Sequence, residues 1–245
     1  MRLLLIFFLI FFSSSNQSKQ LVIGHRGAKG HVAENTLASI KKAMELGAHG
    51  IEIDVFRCLT GEIVLFHDKK LDFLTNGKGL IENKSLSELK KLKVLGSSEG
   101  IPTLKEVFEI IDNNTFLNIE LKGSNTAKLS LDIVKEQLSK NKVSHHNILF
   151  SSFNWKELQE LRDLDSKIKI ALVTSNNPLK AIEPALKLGA VAINPDYKKL
   201  NKKVIKEIFK SGLKVYTWTV NDKDDIKRMK ELGVNGIITD FPERI

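Results

Sequence analysis

The chain has 245 residues, 42% hydrophobic and 27% charged. That gives ample core for one large domain or two small ones, and none of the bias of a disordered or fibrous protein. The formal charge of +9 invites nucleic acid as a partner. However, the lysines are scattered, often as Lys-Lys on outer helix faces without interleaved aromatics, and a nucleic-acid footprint needs clustering. Nucleic acid is therefore set aside, and the charge is read as long-range attraction for anionic small molecules.

Met1-Arg2, the ten apolar residues Leu3 to Phe12 and the small polar stretch from Ser13 to Ser18 form the pattern of a secretory signal. The apolar run is half the roughly 20 residues that a spanning helix needs. Residues 1–18 are thus expected to direct export, to the periplasm or outside the cell, with cleavage near Ser15 or Ser18. No stable membrane anchor is expected afterwards. The other reading is a misassigned start codon ahead of a cytoplasmic protein. Cys58 is the single cysteine, so neither an internal disulfide nor a lipoprotein anchor is expected.

From residue 19 to 245, strand-like apolar runs alternate with helical patterns. The predicted strands are 21–25, 50–56, 62–67, 116–121, 148–152, 169–174, 190–194, 214–219 and 236–239. Helices are predicted over 34–46, 104–112, 126–140, 154–163, 178–188, 201–211 and 222–232, with Gly47, Gly189, Gly212 and Gly233 placed to end them. This alternation indicates a parallel α/β sheet. Only residues 57–61 separate the second and third strands, too few for a parallel crossover, so that pair must be an antiparallel hairpin. Setting the returning arm aside leaves eight parallel strands, a (β/α)8 TIM barrel with a hairpin extension. A turn near Thr60 pairs residues whose numbers sum to about 120 and sets His67 beside Ile53. Residues 69–103, irregular apart from a helical piece at 85–92, are expected as a small insertion over the barrel rim after the second strand, a substrate lid or wall.

Four strands finish on ionisable groups: Val22-Ile23-Gly24-His25-Arg26, Ile51-Glu52-Ile53-Asp54, Val64-Leu65-Phe66-His67-Asp68 and Asn118-Ile119-Glu120-Leu121-Lys122. A barrel tolerates charge chiefly at its C-terminal mouth. Glu52 and Asp54 share one strand face, as do Glu120 and Lys122. Three converging carboxylates repel one another and raise their own pKa values. A hard divalent cation, Ca²⁺ or Mg²⁺, removes that cost, so Glu52, Asp54 and Glu120 are the candidate metal ligands. His25 and His67, brought together by the hairpin, suit a general acid and a general base. Arg26 suits bidentate phosphate binding, and Gly27 would let the backbone approach a ligand. Asn35 or Thr36 caps the first helix. Trp218 could line the site or pack the core, and Ser151-Ser152-Phe153 could offer a hydroxyl or an apolar wall. His31, His49, His145 and His146 lie in loops or helix ends and are expected at the surface.

These marks, in order, resemble the glycerophosphodiester phosphodiesterase family: His25-Arg26-Gly27, Glu34-Asn35-Thr36, Glu52-x-Asp54, His67-Asp68, Ile101-Pro102-Thr103-Leu104, Glu120-x-Lys122, Trp218-Thr219-Val220-Asn221 and Thr239-Asp240. The resemblance implies a barrel of the phospholipase-C-like type and metal-dependent hydrolysis of a small-molecule glycerophosphodiester, such as glycerophosphocholine, to glycerol 3-phosphate and an alcohol. It implies one divalent ion on Glu52, Asp54 and Glu120, acid–base chemistry by His25 and His67, phosphate binding by Arg26 and Lys122, and support from Glu34 and Asn35. It also implies that a hydroxyl of the substrate's own glycerol is the first nucleophile, through a cyclic phosphate. One departure is Leu74, where the family usually carries arginine; this bears on the insertion rather than on the catalytic core. The alternatives are a phosphodiesterase acting on lysophospholipids and a non-catalytic glycerophosphodiester-binding protein. The head group, the choice of ion and the oligomeric state stay open at this stage.

Overall fold

The structure, a computed structural model, describes residues 20–245; the expected signal, residues 1–18, lies outside them. Nine strands form one sheet: β1 (Leu21–His25), β2 (Gly50–Arg57), β3 (Ile63–Leu65), β4 (Phe116–Leu121), β5 (Ile148–Ser152), β6 (Ile170–Thr174), β7 (Ala192–Pro195), β8 (Lys214–Thr217) and β9 (Gly236–Thr239). Every neighbouring pair is parallel except β2 and β3. Pairing of β1 with both β2 and β9 closes the eight parallel strands into a barrel. The hairpin register pairs Val55 with Leu65 and Phe56 with Val64, so the numbers sum to 120 as expected. The Phe66 N–H donates to the Asp54 carbonyl at 3.0 Å, which delivers His67 to the height of Ile53. The returning arm ends at Leu65 rather than 67, and its other edge bonds Thr103 and Pro102.

Within each strand, alternate side chains face opposite ways. Ile23, Phe116, Leu149, Ala171, Ala192, Tyr216 and Ile238 fill the barrel interior. The other face of β4, Leu117, Ile119 and Leu121, packs in the larger layer between sheet and helices. The helices are α1 (Leu37–Glu45), α2 (Leu86–Leu89), α3 (Leu104–Val107), α4 (Ala127–Ser139), α5 (Trp155–Leu164), α6 (Ile182–Lys187), α7 (Lys202–Lys210) and α8 (Lys223–Glu231); all but α2, which lies in the insertion, contribute to that layer. Gly47, Gly189, Gly212 and Gly233 all take positive φ just past helix ends, as expected.

Among the helices outside the insertion, three boundaries differ from the sequence expectation by more than one residue. The first helix begins at Leu37, not residue 34, because the Thr36 hydroxyl caps it while Asn35 sits at φ +55°. The helix expected over 178–188 opens as a 3₁₀ turn, Pro178–Ala181; Pro184 has no N–H to bond one turn back, so the α-helical ladder cannot reach further. The third helix stops at Val107 instead of 112, where bonding shifts to i+3 turns at Glu109 and Ile110.

Residues 69–103 are more ordered than a bare excursion. A hydrophobic cluster of their own, with Leu71, Ile81, Leu89, Val94 and Ile101, packs onto Phe56, Val64 and Phe66 of the hairpin region. Ser85 and Glu88 form a capping box on α2. Among the described residues, no helix is long and apolar enough to cross a membrane.

Candidate active site

All the predicted ionisable residues meet at the C-terminal mouth. Glu52 and Asp54 project from β2, and Glu120 and Lys122 from the end of β4, with Asp54 beside Glu120 in the register. One oxygen from each of Glu52, Asp54 and Glu120 falls within a group spanning 4.8 Å. Burial, then the charges of Asp54 and Glu120, push the Glu52 pKa well above the usual carboxylate range. Burial and Asp54 raise Glu120 as well. Burial opposes Asp54 too, but Arg26, Lys122 and His67 outweigh it and hold that carboxyl low. Three oxygen donors, two of them costly to ionise as they stand, are a donor set that fits a hard divalent cation. The cluster can therefore hold a metal ion.

Two cations flank the acids. Lys122 Nζ lies 2.8 Å from Glu120 and 3.7 Å from Asp54. Arg26 Nη1 donates to Glu34 at 2.6 Å, and its Nε lies 3.1 Å from Asp54. The Arg26 backbone N–H donates to Glu52 at 3.0 Å. These contacts require an unusual backbone: Arg26 sits at φ +52°, where few side-chain-bearing residues go. Its carbonyl is pinned there by the Asn35 N–H at 3.0 Å and the Ser39 hydroxyl at 2.9 Å. Asn35 in turn locks Asp54 from both sides, donating from Nδ2 to the carboxylate at 3.0 Å and accepting from the Asp54 N–H at 3.1 Å. Glu34 is an orienting group, shared between Arg26 and Lys29. The expectation that Gly27 lets a ligand approach needs correction: it sits at φ +84°, and a Cβ there would collide with Ser39 on α1. The glycine serves the turn and the helix packing.

Each histidine has a carboxylate on one ring nitrogen. His25 Nδ1 is 2.6 Å from Asp240 Oδ1, and His67 Nδ1 is 2.6 Å from Asp68 Oδ1. A carboxylate at Nδ1 fixes the proton there and leaves Nε2 as the acceptor of the neutral ring. Burial is the largest influence on both and lowers their pKa values, partly opposed by Asp240 for His25 and by Asp54 for His67. His25 is the deeper, with 13% of its side chain exposed against 30% for His67.

Trp218 and Phe153 form one wall, edge to face with centroids 5.6 Å apart. Lys122 Nζ stands 5.5 Å from the Phe153 ring centre. The Ser152 hydroxyl donates to the Leu121 carbonyl, and of Ser151, Ser152 and Phe153 it is Phe153, just past β5, that lines the cleft. The imidazoles, Arg26, Lys122, the acids and the aromatics line one cleft of about 90 Å³. A larger cavity, about 870 Å³, opens around Leu21, His49 and Lys214, at the opposite end of the barrel. It has no carboxylate cluster, and barrels carry their chemistry at the C-terminal face.

Asp240 carried no role in the sequence reading although it ends β9 as the other site residues end their strands. That same signal would have found it. It is held by Asn221, whose Nδ2 donates to Asp240 Oδ2 at 2.7 Å. Asn118 and Asn194 also line the cleft and had no sequence signal beyond lying on strands. Of the four histidines assigned to the surface, His31, His145 and His146 are exposed, His31 meeting Glu243 and the Phe241 ring there. His49 is half-buried instead and accepts from the Val22 N–H at 3.0 Å.

Residues 25–244 match the glycerophosphoryl diester phosphodiesterase family. A glycerophosphodiester phosphodiesterase of Caldanaerobacter subterraneus subsp. tengcongensis is 38% identical over 93% of this chain and 96% of its own. An Oleispira antarctica phosphodiesterase, solved in complex with the product sn-glycerol-3-phosphate, superposes with a TM-score of 0.85 at 31% identity, covering 92% of this chain and 94% of that one. A glycerophosphodiester phosphodiesterase of Thermotoga maritima matches at 28% identity and a TM-score of 0.75, covering 91% and 96%. With this fold, this mouth and these relatives, the chain belongs to the glycerophosphoryl diester phosphodiesterase family and is a phosphoric diester hydrolase.

Proposed function

We propose that the protein hydrolyses glycerophosphodiesters to sn-glycerol 3-phosphate and an alcohol, with one divalent cation, Ca²⁺ or Mg²⁺, and with His25 and His67 as the acid–base pair. The observation that carries this reading is two carboxylate-oriented imidazoles in one cleft with a three-carboxylate cluster and two cations. Glu52, Asp54 and Glu120 would hold the ion, which when bound supplies charge neutralisation at the phosphate. Arg26 and Lys122 bind the phosphate oxygens, and their own ion pairs keep them aimed into the cleft. Glu34 and Asn35 position Arg26 and Asp54. Phe153 and Trp218 shield one side of the phosphate from water.

The only side-chain hydroxyl among the residues lining the cleft is that of Thr219, and no histidine is hydrogen-bonded to it. In line with the family resemblance, the attacking oxygen is assigned to a hydroxyl of the substrate or to a water. His25, the deeper imidazole, takes the proton from that oxygen as the new P–O bond forms. His67, nearer solvent, acts from its imidazolium form, which Asp54 and Asp68 favour against burial, and gives its Nε2 proton to the departing alcohol oxygen as the old P–O bond breaks, ending as the neutral ring. If a glycerol hydroxyl attacks, the cyclic phosphate then opens by water with the two roles exchanged. Release of glycerol 3-phosphate from glycerophosphocholine, with EDTA and then with Ca²⁺ or Mg²⁺ restored, tests the reading. Activity that returns with an ion is expected; no release from a folded sample with any ion or head group overturns it.

We also propose export, on the strength of residues 1–18. N-terminal sequencing of the protein made in its own cell type should begin near residue 16 or 19; an intact Met1 on a cytoplasmic protein would refute it.

A further inference from the structure

At the end of the barrel away from the catalytic mouth, residues at the starts of the strands surround the cavity of about 870 Å³. It has room there because two of the side chains that fill the barrel interior, Ala171 on β6 and Ala192 on β7, are small. Its volume is in the range of small-molecule sites. Phe116, the first residue of β4, and Tyr216 on β8 form part of its wall, with ring centroids 5.6 Å apart, and Leu149 adds aliphatic surface.

The polar groups of this cavity call for an anion. Lys214 opens β8 two residues before the inward-facing Tyr216 and shares its face. Lys169 stands in the same relation to Ala171 at the start of β6. The Lys214 side chain makes no ion pair or hydrogen bond among the described residues. Lys169 uses one of its three ammonium donors on the His146 carbonyl, 3.1 Å away. The one carboxylate in the lining, Asp112, is already taken by the N–H groups of Asn114 and Thr115 and by the Thr115 hydroxyl. Burial, then the charge of Lys214, lowers the Lys169 pKa, so the two ammonium groups disturb one another. Tyr216 is 5% exposed, and its hydroxyl makes no hydrogen bond among the described residues, although a buried phenol ordinarily finds a partner.

Solvent accounts for Lys214 taken singly, since an exposed lysine needs no partner. It does not account for two like charges set over an aromatic wall beside a buried, unpaired phenol. An anion relieves the repulsion and accepts from these donors, while a flat apolar body covers the wall. We propose that this cavity is a second binding site, for an aromatic organic anion. Its phosphate, sulfonate or carboxylate group is held by Lys169, Lys214 and the Tyr216 hydroxyl, and its ring lies against Phe116 and Leu149. Such binding is independent of the reaction proposed above and involves no chemistry at this end of the barrel.

Fluorescence titration of the purified protein with 8-anilinonaphthalene-1-sulfonate at low ionic strength tests the site. This dye joins an aromatic body to one anionic group and brightens where water is excluded; N-phenyl-1-naphthylamine is the same dye without the sulfonate. Wild type should bind one sulfonate dye per chain, at least about 10-fold tighter than the neutral dye. Lys214→Glu, at an exposed position, should weaken the sulfonate dye at least about 10-fold and leave the neutral dye within about 2-fold. Tyr216→Phe keeps the ring and should weaken the sulfonate dye about 5-fold. Lys203→Glu, the same change of charge at an exposed position on α7, and Lys122→Ala in the catalytic cleft should leave both dyes unchanged. Equal affinity for the two dyes, or sulfonate binding that survives Lys214→Glu, overturns the site. So does a loss of equal size in Lys203→Glu or Lys122→Ala, which would place the dye on the general surface charge or in the catalytic cleft.

Discussion

Replacing Glu52 with glutamine is expected to stabilise the metal-free protein while removing its response to divalent ions. Glu52 is buried and accepts a hydrogen bond from the Arg26 backbone N–H. Asp54 and Glu120, by contrast, contact Arg26 or Lys122 directly. Two carboxylate oxygens no more than 4.8 Å apart repel by about 3.5 kcal/mol or more at an effective dielectric near 20. The nearby cations offset much of that. In the fold, burial and then those two neighbours raise the Glu52 pKa above its unfolded value. The stability associated with this group is thus fully present below the ordinary carboxylate range and is lost as pH rises through the raised pKa. Glutamine does not titrate, so the variant should match wild type near pH 5 and exceed it by about 1–2 kcal/mol near pH 8 in EDTA, a Tm gain of roughly 2–8 °C. Wild type should recover with Ca²⁺ or Mg²⁺, by about 2.7 kcal/mol at 100 times Kd; the variant should not. Differential scanning calorimetry across pH, with EDTA and with ion, measures both. A variant that is less stable than wild type at pH 8 in EDTA, or that gains as much from the ion, refutes the electrostatic account of the cluster.

Loss of His67 should depend on the leaving group. His67→Ala is expected to slow release of alkyl alcohols 10²–10⁴-fold, yet cost under about 10-fold with a p-nitrophenyl ester of glycerol phosphate, whose phenolate leaves without a proton; equal losses for both would remove His67 from that role. Asp240→Asn takes away the charge that fixes the His25 tautomer. It should lower kcat by about 10²–10⁴-fold and, because burial already depresses His25 and Asp240 opposes that, shift the acid limb of the kcat/KM profile to lower pH. An unmoved limb would mean that His25 is not the base. Away from the mouth, the Glu157 carboxylate on α5 accepts from the Asn125, Thr126 and Ala127 N–H groups and the Thr126 hydroxyl. Glu157→Ala should therefore destabilise the fold by about 2–4 kcal/mol in chemical denaturation, through stranded donors at the start of α4; a change within 0.5 kcal/mol, about the level of an ordinary surface substitution, would show that water replaces it.

What was legible in this sequence follows from which interactions are local. A short connection between two strands admits one topology, so residues 57–61 alone dictated the hairpin, and strand alternation then placed His67 and the acids. The ion pairs Arg26–Glu34 and Lys122–Glu120 span eight and two residues, within reach of a motif. Asn35 was expected to cap or support; its two bonds to Asp54 cross from one strand loop to another and could not be read from spacing. The partner of His25 lies 215 residues away at Asp240, a contact created only by barrel closure. Gly27 misled because a positive φ and a ligand approach leave the same residue in the sequence. The two asparagines lining the cleft were invisible for a deeper reason. An asparagine on a strand is ordinary, and only the three-dimensional tally of donors and acceptors shows that Asn118 and Asn194 lack partners. Chemistry built on charge announces itself at strand ends, where a core residue has no cause to be ionised. Neutral hydrogen-bonding groups make no such mark, and stand out only when the closed barrel leaves one of them unanswered.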